Sequence, residues 1–160
     1  MSILSQRSSQ LVAQMSKGKF ESTIGWREWV SLPKLGVEKI KCKVDTGART
    51  SALHAFYIEP YHRENKLYVK FGLHPLQRNK TKVVECKCQV LDIRTVVDSG
   101  GHSEKRYVII TPVKLGLFEW TAEFTLTDRE NMLFRMLLGR EAIKNKFVVD
   151  PSRSYLASEK

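Results

Sequence analysis

Nowhere in this 160-residue chain does an apolar run approach the roughly 20 residues that a membrane helix requires. The opening stretch MSILSQRSSQLVAQMSKGKF is rich in Ser and Gln and contains no apolar block of the kind that marks a signal peptide. The expectation is a cytoplasmic protein with a flexible N-terminal arm over residues 1–20, no membrane contact, and one domain over 21–157. Cysteine is equally scarce: Cys42, Cys86 and Cys88 are an odd number, which argues against a disulfide framework. Cys42 alternates with Ile40 and Val44, and Cys86 and Cys88 with Val84 and Val90, so all three read as small buried apolar residues. There is no His-Glu-x-x-His helix and no phosphate-cradling Gly-x-x-x-x-Gly-Lys-Ser/Thr loop. His54, His62, His74 and His102 are scattered, so no metal site and no cofactor are expected, with a metal-dependent protease kept as an alternative.

Acidic residues are also in short supply. Lys and Arg total 27 against 17 Asp and Glu, a formal net charge of +10. Such a surplus gathers anionic partners by long-range attraction: acidic peptide, nucleic acid or a ribosomal surface. The basic residues are dispersed instead of forming one block with interleaved aromatics, which weakens a dedicated nucleic-acid reading.

From Ile24 onward the apolar residues recur mostly with period two, the mark of half-buried strands. Strands are predicted over Ile24–Leu32, Val37–Val44, Ser51–Ile58, Lys66–Gly72, Lys82–Val97, Glu104–Thr111, Glu119–Thr127, Met136–Leu138, Phe147–Val149 and Ser154–Leu156. Gly, Pro and Asp-Asn breakers fall between them. One helix is predicted, Arg140–Lys146, too short to persist without packing. The fold class is mainly β: a small, partly closed barrel with one short C-terminal helix.

Within this frame one carboxylate stands out. Asp45-Thr46-Gly47-Ala48 leaves an alternating strand and runs through Arg49 and Thr50 into the next. Much later comes Met136-Leu137-Leu138-Gly139-Arg140-Glu141. The ordered pair resembles the retropepsin-like aspartic proteases, in which an Asp-Thr-Gly-Ala turn is cradled by an apolar-apolar-Gly strand followed by Arg and a helix. A closer resemblance is carried by Ile24-Gly25-Trp26-Arg27-Glu28-Trp29, by Asp45 to His54, and by His102 with Glu104-Lys105-Arg106-Tyr107. Phe124 to Arg129, Leu138-Gly139-Arg140 and Val149 to Arg153 add to it. These segments look like a bacterial family labelled ATP-dependent zinc proteases, assigned a retropepsin-like fold, whose members accompany ATP-grasp ligases that add glutamates to proteins.

The resemblance implies a hydrolase acting on acidic or glutamate-rich protein tails, with an ATP-grasp ligase as further partner, while a ribosomal partner is an expectation from the positive charge. It makes Asp45, Thr46 and Gly47 the catalytic turn, supported by Ala48, Thr50, Leu138, Gly139 and Arg140. An aspartic peptidase needs two carboxyl groups sharing one proton. One Asp45 per chain therefore implies a homodimer. Asp98-Ser99-Gly100 is a second candidate, but no apolar-apolar-Gly brace accompanies it and it reads as a hairpin turn. Arg49 stands where retropepsins commonly carry an acid, and Glu141 is expected to neutralise it together with Arg140. Substrate contacts are expected from Arg49 and from His74 and Arg78, in a 72–82 loop predicted to cover the site as a flap. The alternative to catalysis is a barrel that only binds an acidic or nucleic-acid partner.

Overall fold

The structure, a computed structural model, describes residues 22–129 and 131–157, and the arm expected over residues 1–20 lies outside them. The described strands are β1 (Ser22–Gly25), β2 (Arg27–Leu32), β3 (Val37–Asp45), β4 (Ser51–His54), β5 (Tyr57–Arg63), β6 (Lys66–Leu73), β7 (Val84–Gln89), β8 (Asp92–Val97), β9 (Ser103–Leu115), β10 (Phe118–Thr127), β11 (Met136–Gly139) and β12 (Phe147–Asp150). A 3-10 turn, Pro33–Leu35, joins β2 to β3, and helix α1 is Arg140–Ile143. Seven strands form the main sheet in the order β10-β4-β11-β3-β2-β9-β8, and β9 also pairs with β10. That extra pairing brings the sheet round on itself into the predicted mainly β, partly closed barrel. A three-stranded sheet, β5-β6-β7, and the parallel pair β1-β12 complete it.

Two predicted strands are each divided between sheets, and in both cases neighbouring backbone N–H groups change partner. Ala55 N–H donates to the Thr127 carbonyl, whereas Phe56 N–H donates to Gly72, so Ser51–Ile58 breaks into β4 and β5. Val90 N–H donates to Leu67 and Leu91 N–H to Val108, which separates β7 from β8 within Lys82–Val97. Every amide remains satisfied through these corners. Burial alternates along Val84–Val90, whereas Ser51–Ala55 is buried throughout, and in both places the switch of sheet is set by distant hydrogen-bond partners.

Ile24–Leu32 also divides, at Trp26. A side chain on Gly25 would place its Cβ 2.4 Å from the Arg153 carbonyl oxygen, and Trp26 N–H donates to that same carbonyl. Ser154–Leu156 is not a strand. It is held instead by Glu28, whose carboxylate is fully buried and accepts from the backbone N–H groups of Gly25 (2.7 Å), Leu156 (2.8 Å) and Ala157 (3.2 Å). The predicted helix stops at Ile143 because Lys144 is extended and Asn145 adopts a left-handed φ of 65°.

The core is continuous beneath β3, β4, β10 and β11. Ile40, Cys42, Leu53, Phe124, Leu126, Met136 and Leu138 are buried within it. β11 occupies a singular place: it lies between β3, which it joins in parallel, and β4, which it joins antiparallel. The turn connecting β3 to β4 therefore straddles the end of β11, and Gly139 is the register partner of Asp45. A Cβ on Gly139 would come within 2.6–2.9 Å of Thr50 C and O and of Ser51 N, all backbone atoms of the β4 approach.

Three outcomes follow from this packing. Glu28→Gln should destabilise the fold by about 2–3 kcal/mol, because one acceptor oxygen becomes an amide facing backbone N–H groups; thermal unfolding measures it. Gly139→Ala should cost about 1–3 kcal/mol through overpacking against backbone that cannot yield. Gly47→Ala should cost less, since its Cβ would meet only Asp45 Oδ1, at 3.3 Å, and denaturant unfolding of the pair tests the contrast. Burial pushes the thiols of Cys42 and Cys86 up to about 12, so both should resist alkylation at pH 8 until the protein is unfolded.

Candidate active site

The Asp45-Thr46-Gly47 turn is built by hydrogen bonds of its own and of β11. Gly47 N–H donates to Asp45 Oδ1 at 3.0 Å and Ala48 N–H to the Asp45 carbonyl at 3.2 Å. From below, Gly139 N–H donates to Ser51 Oγ at 2.9 Å. Helix α1 then begins directly against the turn. A helix start leaves backbone N–H groups without intrahelical partners. Here Arg140 N–H donates to the Ala48 carbonyl (2.7 Å) and Glu141 N–H to the Arg49 carbonyl (3.0 Å). The Arg140 guanidinium adds a third link, Nη1 to the Thr46 carbonyl at 3.0 Å. Every turn carbonyl from Thr46 to Arg49 except that of Gly47 is thus bonded to the β11–α1 junction.

Asp45 is half-buried, and Thr46, Gly47 and Arg49 are exposed. Side chains alternate across a strand, so Asp45 shares its face of β3 with Lys43. Lys43 is the partner of Leu137 on β11, Leu137 of Ala52 on β4, and Ala52 of Thr125 on β10. These residues form one row across the sheet. A hollow of about 270 Å³ opens on it, lined by Ala52, Leu137, Met132, Thr127 and Asn131 together with Arg106 and Arg129. A larger hollow of about 480 Å³ is lined by Arg49, Thr50, Ser51 and Glu141 together with Arg94 and Glu123. Its Arg94 is already bonded to Glu123 at 2.8 Å and to Asp92 at 2.9 Å.

The structure brings Asp45, Thr46, Gly47, Ala48, Thr50, Leu138, Gly139 and Arg140 together, with Arg49 beside them. The charge arrangement differs from expectation. Glu141 forms its ion pair with Lys144, at 3.2 Å, and not with Arg49 or Arg140. That hydrogen bond to Lys144 is the main reason its carboxyl is held below the usual carboxylate range, with Arg49 and Arg140 adding smaller attractions. Arg140 is spent on the Thr46 carbonyl.

His74 and Arg78 lie in the 72–82 loop. The loop carrying them is fastened by Gln77 Nε2 to the Leu133 carbonyl, at 2.9 Å, and by His74 stacking on Phe56 with ring centroids 4.1 Å apart. Leu133 precedes β11 at the end away from Gly139, and His74 is buried. These contacts fasten the loop at His74 and Gln77, while Arg78 and residues 80–83 are exposed. Asp98 caps its own turn: its Oδ1 accepts from Gly100 N–H and His102 N–H, both at 2.9 Å. The His102 backbone bond is the leading cause that lowers its pKa. His54 lies buried with Nδ1 accepting from Arg129 N–H at 3.2 Å. Among the described residues no group of three or more His, Cys, Asp or Glu side chains is placed to hold a metal ion, so the zinc label finds no ligand set there.

Comparison with known proteins accords with this geometry. A sequence model of the RimB-like family, described as the retropepsin-like aspartic endopeptidase RimB, matches residues 23–160. A Shewanella pealeana protein named "Probable alpha-L-glutamate ligase" is 49% identical over 146 residues, covering 91% of this chain and 31% of its own length. A Desulfotalea psychrophila protein of the same name is 44% identical over 138 residues, covering 86% of this chain and 30% of its own. The chain thus spans about a third of the length of these relatives. A crystal structure of a Legionella pneumophila protein of unknown function superposes with a TM-score of 0.70 at 27% identity, covering 84% of this chain and 97% of that one. With the Asp-Thr-Gly turn, its β11 brace and a match over most of its length, the chain belongs to the RimB-like family of retropepsin-like proteins.

Proposed function

We propose that this chain is one half of an aspartic peptidase, in which two copies each contribute Asp45 to a shared carboxyl dyad. The observation that carries the reading is the wedge of β11 between β3 and β4, which ties the Asp45 turn to Gly139 and Arg140. A turn so held presents its carboxylate in a fixed place at low reorganisation cost. In the dimer one Asp45, ionised, takes a proton from water as the hydroxyl oxygen bonds to the peptide carbonyl carbon. The other, protonated, gives its proton to the carbonyl oxygen. The tetrahedral intermediate then breaks its C–N bond, the amine leaving with a proton returned from the dyad. Thr46 braces the paired turns through its hydroxyl, and the bare Gly47 allows their backbones to approach.

Acidic or glutamate-rich tails are the proposed substrate. Lys43, Arg49 and Arg140 surround the turn, and the net charge of +10 draws anionic chains toward it. The glutamate-ligase names of the relatives agree with such a polymer. Because those relatives are about three times as long as the matched region, a second reading has support: a non-catalytic domain that holds an acidic tail for another domain's chemistry.

Hydrolysis of a glutamate-rich peptide decides between the two. Asp45→Asn should lower the rate by about 100- to 10,000-fold while leaving the unfolding transition in place. Cleavage by the parent should be faster for the glutamate-rich peptide than for a lysine-rich one, and the advantage should shrink as salt rises. Undiminished cleavage by Asp45→Asn rules out the aspartic mechanism. Binding without cleavage by a dimeric parent supports the holding domain instead.

A further inference from the structure

We infer that the hollow where β4, β9, β10 and β11 meet is a carboxylate-selective side-chain pocket of the substrate groove, with Arg106 and Arg129 as its specificity-determining residues. The inference rests on the peptidase reading in taking the occupant to be a residue of the peptide held beside Asp45. Its place follows from the strand register. Leu137 and Ala52 line the hollow and belong to the row that begins at Lys43, two residues before Asp45 on the same face of β3. Leu137 is two positions from Gly139, the partner of Asp45, which is roughly 7 Å along a strand. An extended peptide passing Asp45 reaches that distance within two or three of its own residues.

The size suits one side chain. At about 270 Å³ the hollow falls below the roughly 300–1,000 Å³ of pockets that take drug-sized ligands. Its walls are apolar where Ala52, Met132 and Leu137 stand, matching the methylenes of a glutamate, and cationic at Arg106 and Arg129.

Arg106 is 8% exposed, and a guanidinium so buried is costly without partners. Among the described residues its contacts are Glu104 Oε2 with Nε, at 3.2 Å, and Thr125 Oγ1 with Nη1, at 3.5 Å. Glu104 is the one carboxylate recorded against it there, and Glu104 also accepts from Thr127 Oγ1 at 3.5 Å. A guanidinium carries five N–H donors in a rigid fork, so these contacts leave donors over. Among the described residues that line the hollow, the charged ones are Arg106 and Arg129, both positive. A glutamate side chain supplies an anion and the paired acceptors that arginine binds best. Glutamine lacks the charge, and lysine is repelled.

Positional binding tests this apart from hydrolysis. The Asp45→Asn protein, which on the peptidase reading does not consume its ligand, is titrated calorimetrically at moderate salt with a short glutamate-rich peptide. Each Glu of the peptide is then replaced in turn by Gln. One position should cost about tenfold or more in affinity, the others little, because bulk attraction treats all positions alike. That sensitivity should vanish in Arg106→Gln and in Arg129→Gln. Arg129 is exposed, so its variant keeps the test sound if loss of the buried Arg106 prevents folding. An equal cost at every position, or a sensitive position that persists in Arg129→Gln, overturns the pocket. A parent that binds with this pattern yet cleaves nothing refutes the peptidase reading and leaves the pocket standing. A parent that cleaves but shows no sensitive position does the reverse.

Discussion

The insertion of β11 between the two strands of the Asp45 turn is the constraint on which the rest of the molecule depends. A hairpin would ordinarily let β3 and β4 pair with each other. Here they are prised apart, and Met136 to Gly139 supplies both with a partner. The cost of opening the hairpin is met by two ladders in place of one. The connecting turn then has no freedom to collapse, because its carbonyls are committed to the start of α1. Gly139 is the point of closest approach in this arrangement, with backbone on the side where any other residue would carry a Cβ.

The same wedge orders the charges. Arg140 is fixed at the first position of α1 and spends its guanidinium on the Thr46 carbonyl, so it acts as a strut within the turn. Arg49 stays exposed beside Asp45, and Glu141 turns to Lys144. Arg49 and Arg140 therefore set positive charge beside the carboxylate, with Glu141 offsetting part of it. Such a field suits an anionic chain approaching from solvent.

Much of this was legible in the sequence because it depends on local chemistry. β3, β6, β10, β11 and β12 fall within a residue or two of prediction, since each is an alternating run bounded by breakers. The pairing of Asp45-Thr46-Gly47 with Leu137-Leu138-Gly139 was readable as an ordered motif although 90 residues separate the two. What stayed hidden is decided by distant contacts. The corners at Ala55–Phe56 and Val90–Leu91 are a change of hydrogen-bond partner between adjacent residues, set by segments distant in the chain. Strand order alone makes the 72–82 loop a flap candidate, whereas its tether to Leu133 is a tertiary fact. Arg106 gave a faint signal. It alternates with Val108 on an inward-facing register, an unusual place for a charge.

The Glu28 carboxylate has a bearing on how the chain is made. It gathers Gly25 from the start of the described region and Leu156 and Ala157 from its end, and among the described strands β1 pairs with β12. During synthesis the ribosome delivers Glu28 and Gly25 long before Leu156 exists. Until then a carboxylate destined for full burial must remain in water, and β1 must wait as an unpaired edge. Closure joins points some 130 positions apart, the kind of contact whose loop entropy has to be overcome late. The β1–β12 edge therefore closes only once residue 157 has cleared the exit tunnel, whereas the ring of main-sheet strands that carries the Asp45 turn is already complete at Gly139.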